Sequence, residues 1–344
     1  MPLVEDSIEK TYSSMKEKLH NVVPDFELRY KAELVYEINR RKKERGAVIL
    51  GHNYMEPALY HTVPDFVGDS LELARKAAET TCDPIIFCGV RFMAETAKIL
   101  NPGRTVLLPA REAGCSLAAS ITAQDVRDLR AKYPGVPIVT YINTYADVKA
   151  ECDVCCTSGN AAKIVQSLDS DTVIFIPDEY LARNVAKETG KKIILPSESM
   201  QAEPTIIGWT GKCEVHEQFS PSDIKNVREQ FPEVVVLAHP ECSPEVTEAS
   251  DFTGSTSKMI QYVREKQAPH FLLLTECSMA DNIMAENPGK EMLQLCSVRC
   301  PHMNQITLED TLNSLVNNEY IIELPEKVIK KARVSLDRML ELSN

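Results

Sequence analysis

Three cysteines, Cys115, Cys213 and Cys300, lie 98 and 87 residues apart. Each is followed seven residues later by a Ser/Thr-x-x-Asp helix start: Thr122 with Asp125, Ser220 with Asp223, and Thr307 with Asp310. One thiol from each third of a chain is chemistry suited to a metal. A closed structural zinc site prefers four protein ligands, usually with local C-x-x-C pairs. Three widely separated thiolates instead suit an iron–sulfur cluster with one iron left open to substrate oxygen or nitrogen. Spacing alone leaves both readings open.

The chain has eleven cysteines in all, and the other eight have simpler readings. Cys152, Cys155 and Cys156 form CDVCC, whose C-x-x-C is either a redox or zinc pair or a set of buried thiols. Cys296 stands four residues before Cys300, close enough for thiol exchange, although its strand position favours burial. Cys82, Cys88, Cys242 and Cys277 read as small hydrophobes at strand ends. A chain of 344 residues needs no disulfide framework, and reduced thiols point to the cytosol.

Hydroxyl-bearing turns recur as well. Ser70 follows Gly68-Asp69, Ser158 sits in Thr157-Ser158-Gly159-Asn160, and Ser255-Thr256 follows Gly254. Each serine either caps a helix or joins a ring of helix N-termini suited to phosphate and carboxylates. His52 and His239 end apolar runs, and Tyr54 and Glu241 beside them are proton-transfer partners. His216, three residues after Cys213, is close enough to line the same cleft. His20, His61 and His270 receive no role.

These groups need a scaffold that brings them together. Nine short apolar runs, at 47–51, 84–89, 105–109, 137–142, 172–177, 192–196, 234–239, 270–275 and 292–296, alternate with amphipathic stretches, the pattern of parallel βα units. They fall into three sets of three. The first run of each set ends in a polar tip: His52-Asn53-Tyr54, Tyr141-Ile142-Asn143 or His239-Pro240-Glu241. The second runs into a helix, and the third leads to one of the three cysteines. The expected fold is α/β: three homologous three-layer αβα sandwiches with parallel sheets around a pseudo-threefold central site, where ligands meet the carboxyl ends of the strands. The expected divisions are an N-terminal helical extension (1–32), units at 33–120, 121–218 and 219–306, and a closing segment (307–344) packed back on unit one.

Composition narrows the function. A net charge of −12 repels phosphate backbones and anionic lipid, so nucleic acid and membrane partners are not expected. No apolar run approaches the roughly 18 residues of a membrane span. There is no G-x-G-x-x-G, P-loop, H-E-x-x-H or G-x-S-x-G motif.

From about residue 30 to 320 the chain resembles the quinolinate synthase family. The motifs are GHNY, GDSLELA, FMAETAKIL, GCSLA, YINTYADVKA, CTSGNA, GKCEVH, HPEC, GST and CPHM with ITLED. The resemblance implies three αβα domains around a 4Fe–4S cluster held by Cys115, Cys213 and Cys300. It implies condensation of iminoaspartate with dihydroxyacetone phosphate to quinolinate, with loss of phosphate and two waters, and a functional link to an L-aspartate oxidase or dehydrogenase. His52, Ser70, Tyr141, Asn143, Ser158, His239, Glu241 and Thr256 would bind substrate, with Glu241 as base and Tyr54 and His239 as proton-transfer partners. In two places the chain departs from relatives: Cys277 stands where many have glycine, and Cys296 and Cys300 form C-x-x-x-C. An aconitase-type dehydratase acting on another di-acid and a non-catalytic sensor built on CDVCC are the competing readings.

Overall fold

Apolar runs covered by helices on both faces form parallel strands buried on both sides, and this is how each sheet begins. The computed structural model describes residues 2–194, 205–293 and 298–343. The first sheet contains β1 (Val48–His52), β2 (Phe66–Gly68), β3 (Ile85–Cys88) and β4 (Val106–Leu107), in the order β2-β1-β3-β4. The second contains β5 (Ile138–Tyr141), β6 (Val154–Cys156), β7 (Thr172–Ile176), β8 (Lys192–Ile194) and β9 (Thr205–Gly208), in the order β6-β5-β7-β9-β8. The third contains β10 (Val235–Ala238), β11 (Phe252–Thr253), β12 (His270–Leu274) and β13 (Glu291–Leu293), in the order β11-β10-β12-β13. Every pairing within the three sheets is parallel.

The fold class is the one expected, but the strand inventory differs. Thirteen strands form among the described residues where nine were expected. Three of the additions, β2, β6 and β11, are edge strands of two or three residues, too short for periodicity to register. The fourth changes an assignment. The run at 192–196 was expected to be the third strand of the middle unit, yet β9 holds that place beside β7 and leads to Cys213, while β8 lies outside it at the edge. The extra strand falls in the longer of the two intervals between the three cysteines. Cys296 lies outside the described residues.

Helix starts explain how the cysteine loops are closed off. The Thr122 and Ser220 side chains form reciprocal capping boxes with Asp125 and Asp223, and Thr307 accepts the Asp310 N–H. Each cap stops the chain leaving the cysteine loop and turns it into a helix, as the sequence pattern indicated.

The chain ends tie the units together. Helix Asp25–Arg45 runs unbroken through residue 32, so the division expected there falls inside an element, and Leu28, Ala32, Val35 and Ile38 join the core of the first sheet. At the other end, Ile321 forms an antiparallel bridge with Leu107 of β4. Helix Glu326–Leu342 also lies against β6 and the turn Ala146–Lys149 of the middle unit, where Ser335 Oγ donates to the Lys149 carbonyl at 3.0 Å. No described helix is long and apolar enough to cross a membrane.

Replacing Thr307 with Ala removes a cap acceptor and leaves an orphan N–H at the helix start, so the expected cost is about 1 kcal/mol. Denaturant unfolding reads this as a lowered midpoint at unchanged slope; an unmoved midpoint contradicts the capping role.

Candidate active site

The carboxyl ends of the three sheets face one cavity enclosing about 690 Å³ of empty space, mouth included. Its walls bring together His52, Tyr54, Ser70, Tyr141, Asn143, Ser158, His239, Glu241, Thr256, Cys115, Cys213 and Cys300, drawn from all three units. No lysine or arginine lines it among the described residues.

The three thiols occupy equivalent local structures. Backbone N–H donors near each sulfur favour its ionised form: those of Leu117 and Ala118 at Cys115, of Val215 and His216 at Cys213, and of His302 and Met303 at Cys300. In each case the donors lie two and three residues on, because the cysteine opens a short helical turn: Ser116–Ala119, His216–Gln218 or Met303–Gln305. Burial pushes Cys115 up to about 12 and Cys300 up to about 11, and raises Cys213 strongly. Repulsion between neighbouring cysteines adds to this for Cys115 and Cys213. Such groups are neutral thiols on their own and become thiolates when a cation is present. Paired N–H donors at each sulfur are suited to that ionised form.

Glu241, beside Cys213, is the electrostatic centre of the cavity and is 3% exposed. Its Oε2 lies 2.7 Å from His216 Nδ1 and 3.9 Å from His239 Nδ1. Its Oε1 accepts the Tyr141 hydroxyl and, at 3.4 Å, Asn143 Nδ2. Burial favours the protonated acid, but the two imidazoles and the Tyr141 hydroxyl outweigh it and hold the carboxyl below its ordinary range. His216 stacks on His239 with ring centroids 4.6 Å apart. Burial lowers His52 to about 4 and His239 to about 3, so both are neutral imidazoles at physiological pH.

Sequence reasoning missed two contributors. Thr275, at the end of β12, meets both the Tyr54 hydroxyl and His216 Nε2, the latter at 3.0 Å; its place at a strand tip was the available signal. His302 lines the cavity with a buried Nδ1 that has no partner, as does Asn143 through Oδ1. Two buried polar atoms in one cavity wall await a ligand.

The ring of helix N-termini needs correction. Asp69, not Ser70, caps helix Ser70–Glu79, taking the Leu71 and Glu72 N–H groups with its own carboxylate. Helix Ala161–Gln166 starts after Asn160 rather than at Ser158. Ser255 is the cap residue of Thr256–Glu265 but makes no side-chain cap bond. The first N-terminus is therefore already neutralised, while Ser70 and Ser158 present themselves to the cavity without a capping duty.

The CDVCC thiols lie elsewhere. Cys152 donates to the Val148 carbonyl and Cys155 to Ser335 Oγ, and burial raises all three. Raised, buried thiols are poor nucleophiles. His20, His61 and His270 do not line the cavity.

Two donor sets share Cys213. One is the three equivalent cysteines; the other is Cys213, His216 and Glu241, whose ligand atoms lie within 4.8 Å of one another. Both suit a metal, in keeping with an iron–sulfur enzyme family.

The family profile described as quinolinate synthetase A protein matches residues 36–341. A quinolinate synthase of Sinorhizobium fredii is 49% identical over 336 residues, covering 98% of this chain and 90% of the relative. One from Xylella fastidiosa is 53% identical over 310 residues, covering 90% and 86%. One from Caulobacter vibrioides is 47% identical over 339 residues, covering 97% and 89%. With similarity running through all three sheets and the cavity between them, the chain belongs to the quinolinate synthetase A family.

Proposed function

We infer that this chain is a quinolinate synthase of NAD biosynthesis, acting on small molecules. The finer reading is that it condenses iminoaspartate with dihydroxyacetone phosphate. The observation that carries it is one cavity lined by three thiols, one from each unit, together with Glu241 and its two imidazoles. Loss of one phosphate and two waters accounts for every atom in forming the pyridine dicarboxylate from these reactants, so the net reaction needs no oxidant.

Cys115, Cys213 and Cys300 would hold a 4Fe–4S cluster, leaving one iron without a protein thiolate. The three-cysteine set fits this group better than the Cys213–His216–Glu241 set fits a single ion, because His216 and Glu241 already satisfy each other at 2.7 Å. When bound, the cluster supplies a Lewis-acid iron for polarising substrate oxygen.

The chain's own residues perform the remaining work. Glu241 stays ionised and accepts protons during isomerisation of the three-carbon unit. A carboxylate held this low is a weak base, so each proton must be passed on, and His239 and His216 stand close enough to take it. Tyr54, tied to Thr275, is the other proton-transfer partner. His52, Ser70, Tyr141, Asn143, Ser158 and Thr256 hold carboxylates or phosphate through neutral donors. Neutral donors orient a dianion without the tight ion pairing that would slow its release. The imine must come from an enzyme that oxidises the amine of aspartate, an L-aspartate oxidase or dehydrogenase. Eleven cysteines in a chain of this size suit the reducing cytosol.

Serine in place of Cys115, Cys213 or Cys300 is expected to give folded but iron-poor protein without quinolinate formation; a variant with full iron, sulfide and turnover refutes that ligand. Cys152→Ser and Cys155→Ser should keep both cluster and activity, and iron loss in either would revive the sensor reading. In Glu241→Gln, iron content should persist while kcat falls by about 10²- to 10⁴-fold, measured by anaerobic quinolinate assay. Normal turnover there removes Glu241 as base.

A further inference from the structure

The three strand tips are gripped in the same way. Counting each tip from His52, Tyr141 and His239, the residues two positions on are Tyr54, Asn143 and Glu241, and all three line the cavity. The carbonyls on either side of each of these residues are caught by a single nitrogen. Asn282 Nδ2 donates to the Asn53 and Met55 carbonyls at 3.2 and 2.9 Å. Asn184 Nδ2 donates to those of Pro240 and Cys242 at 2.8 and 2.9 Å. Lys149 Nζ donates to that of Ile142 at 2.8 Å and to that of Thr144.

The origin of the nitrogens is itself ordered. Asn184 and Asn282 occupy the same place in the helix after the second main strand, in Leu181-Ala182-Arg183-Asn184 and Met279-Ala280-Asp281-Asn282. Each reaches out of its own unit to the tip of the next. The first unit has Met93-Ala94-Glu95-Thr96 at this place. Threonine is too short to span to a neighbouring tip, and Thr96 Oγ1 bonds back to the Phe92 carbonyl. Lys149, fully buried with Nζ 5.5 Å from the Phe92 ring, supplies the missing donor from within the tip's own unit. An amide has two hydrogens and an ammonium three, so either can hold two carbonyls at once.

We propose that Asn184, Asn282 and Lys149 are positioning residues of the reaction: three pincers that each hold the peptide plane just before Glu241, Tyr54 or Asn143 together with the carbonyl of the residue just after it, and so aim these side chains into the cavity. Holding the planar peptide before a residue and the carbonyl of the residue after it pins the chain on both sides and so restricts the direction of the Cα–Cβ bond between them. Misplacement of a reacting group by about 1 Å can cost 10²-fold in rate. Two of the three pincers cross between units, so catalytic geometry is tied to the docking of one unit on the next. This rests on the quinolinate synthase reading and extends it to residues outside the cavity.

Asn184 offers the cleanest test, because Thr247 Oγ1 donates to its Oδ1 at 3.0 Å and Asn184→Asp keeps that acceptor while losing both donors. Asn184→Leu removes the polar groups at similar size. In cluster-loaded protein, both variants are expected to lose about tenfold or more in kcat, with KM within about threefold and iron content and melting temperature near those of the unmodified chain. In metal-free, ¹⁵N-histidine-labelled protein, the downfield proton signal of the imidazole N–H bonded to Glu241 is expected to shift. A folded variant with unchanged kcat and an unmoved imidazole signal overturns the proposal, and so does a kcat loss that merely tracks lost iron or lost folded protein. The unmodified chain assayed in parallel keeps the two questions apart. If it makes no quinolinate, the activity reading fails while the imidazole signal still judges the pincer.

Discussion

Sulfur cannot stay ionised in a buried cavity without a cation, and the architecture answers to that constraint. Three thiols that burial drives towards the neutral form line one cavity, each near two backbone N–H groups that favour its ionised form. Neither the N–H pairs nor the gathering of one cysteine from each unit has an evident purpose if the sulfurs remain thiols. With a polynuclear cation bound, as proposed, both would become electrostatically favourable, and the three units would share a common anchor.

Glu241 joins two of the units across the same cavity. Glu241 reaches His216, from the cysteine loop of the middle unit, and Tyr141, from that unit's first strand tip. Its ionisation therefore depends on the third unit docking correctly against the second. With no lysine or arginine on the cavity wall among the described residues, the neutral donors that the wall offers to the proposed acidic substrates are hydroxyls, amides and imidazoles. A net charge of −12 on the chain as a whole is compatible with such substrates because the recognition is local.

Much of this was legible in the residues because it is carried by local signals. Cysteine spacing, Ser/Thr-x-x-Asp caps and polar strand tips each report on a few consecutive positions, and they identified the cavity walls. Strand order was harder to read. The runs at 192–196 and 205–208 are both apolar, and only packing against β7 decides that β9 takes the inner place. Whether Ser70 caps its helix could not be read from the hydroxyl turn alone, because Asp69 beside it competes better for the helix N–H groups. Thr275 and the pincers escaped notice because they act through contacts between units, which no local pattern encodes.

The central claim is that one cysteine from each unit grips a single iron–sulfur cluster with one iron open to ligands. Mössbauer spectroscopy of anaerobically prepared, ⁵⁷Fe-loaded protein addresses it directly, with and without pyridine-2,3-dicarboxylate. The account predicts about four irons per chain, one of which changes its isomer shift and quadrupole splitting when the dicarboxylate is added. A single mononuclear iron, or a cluster whose irons all ignore the ligand, would contradict it.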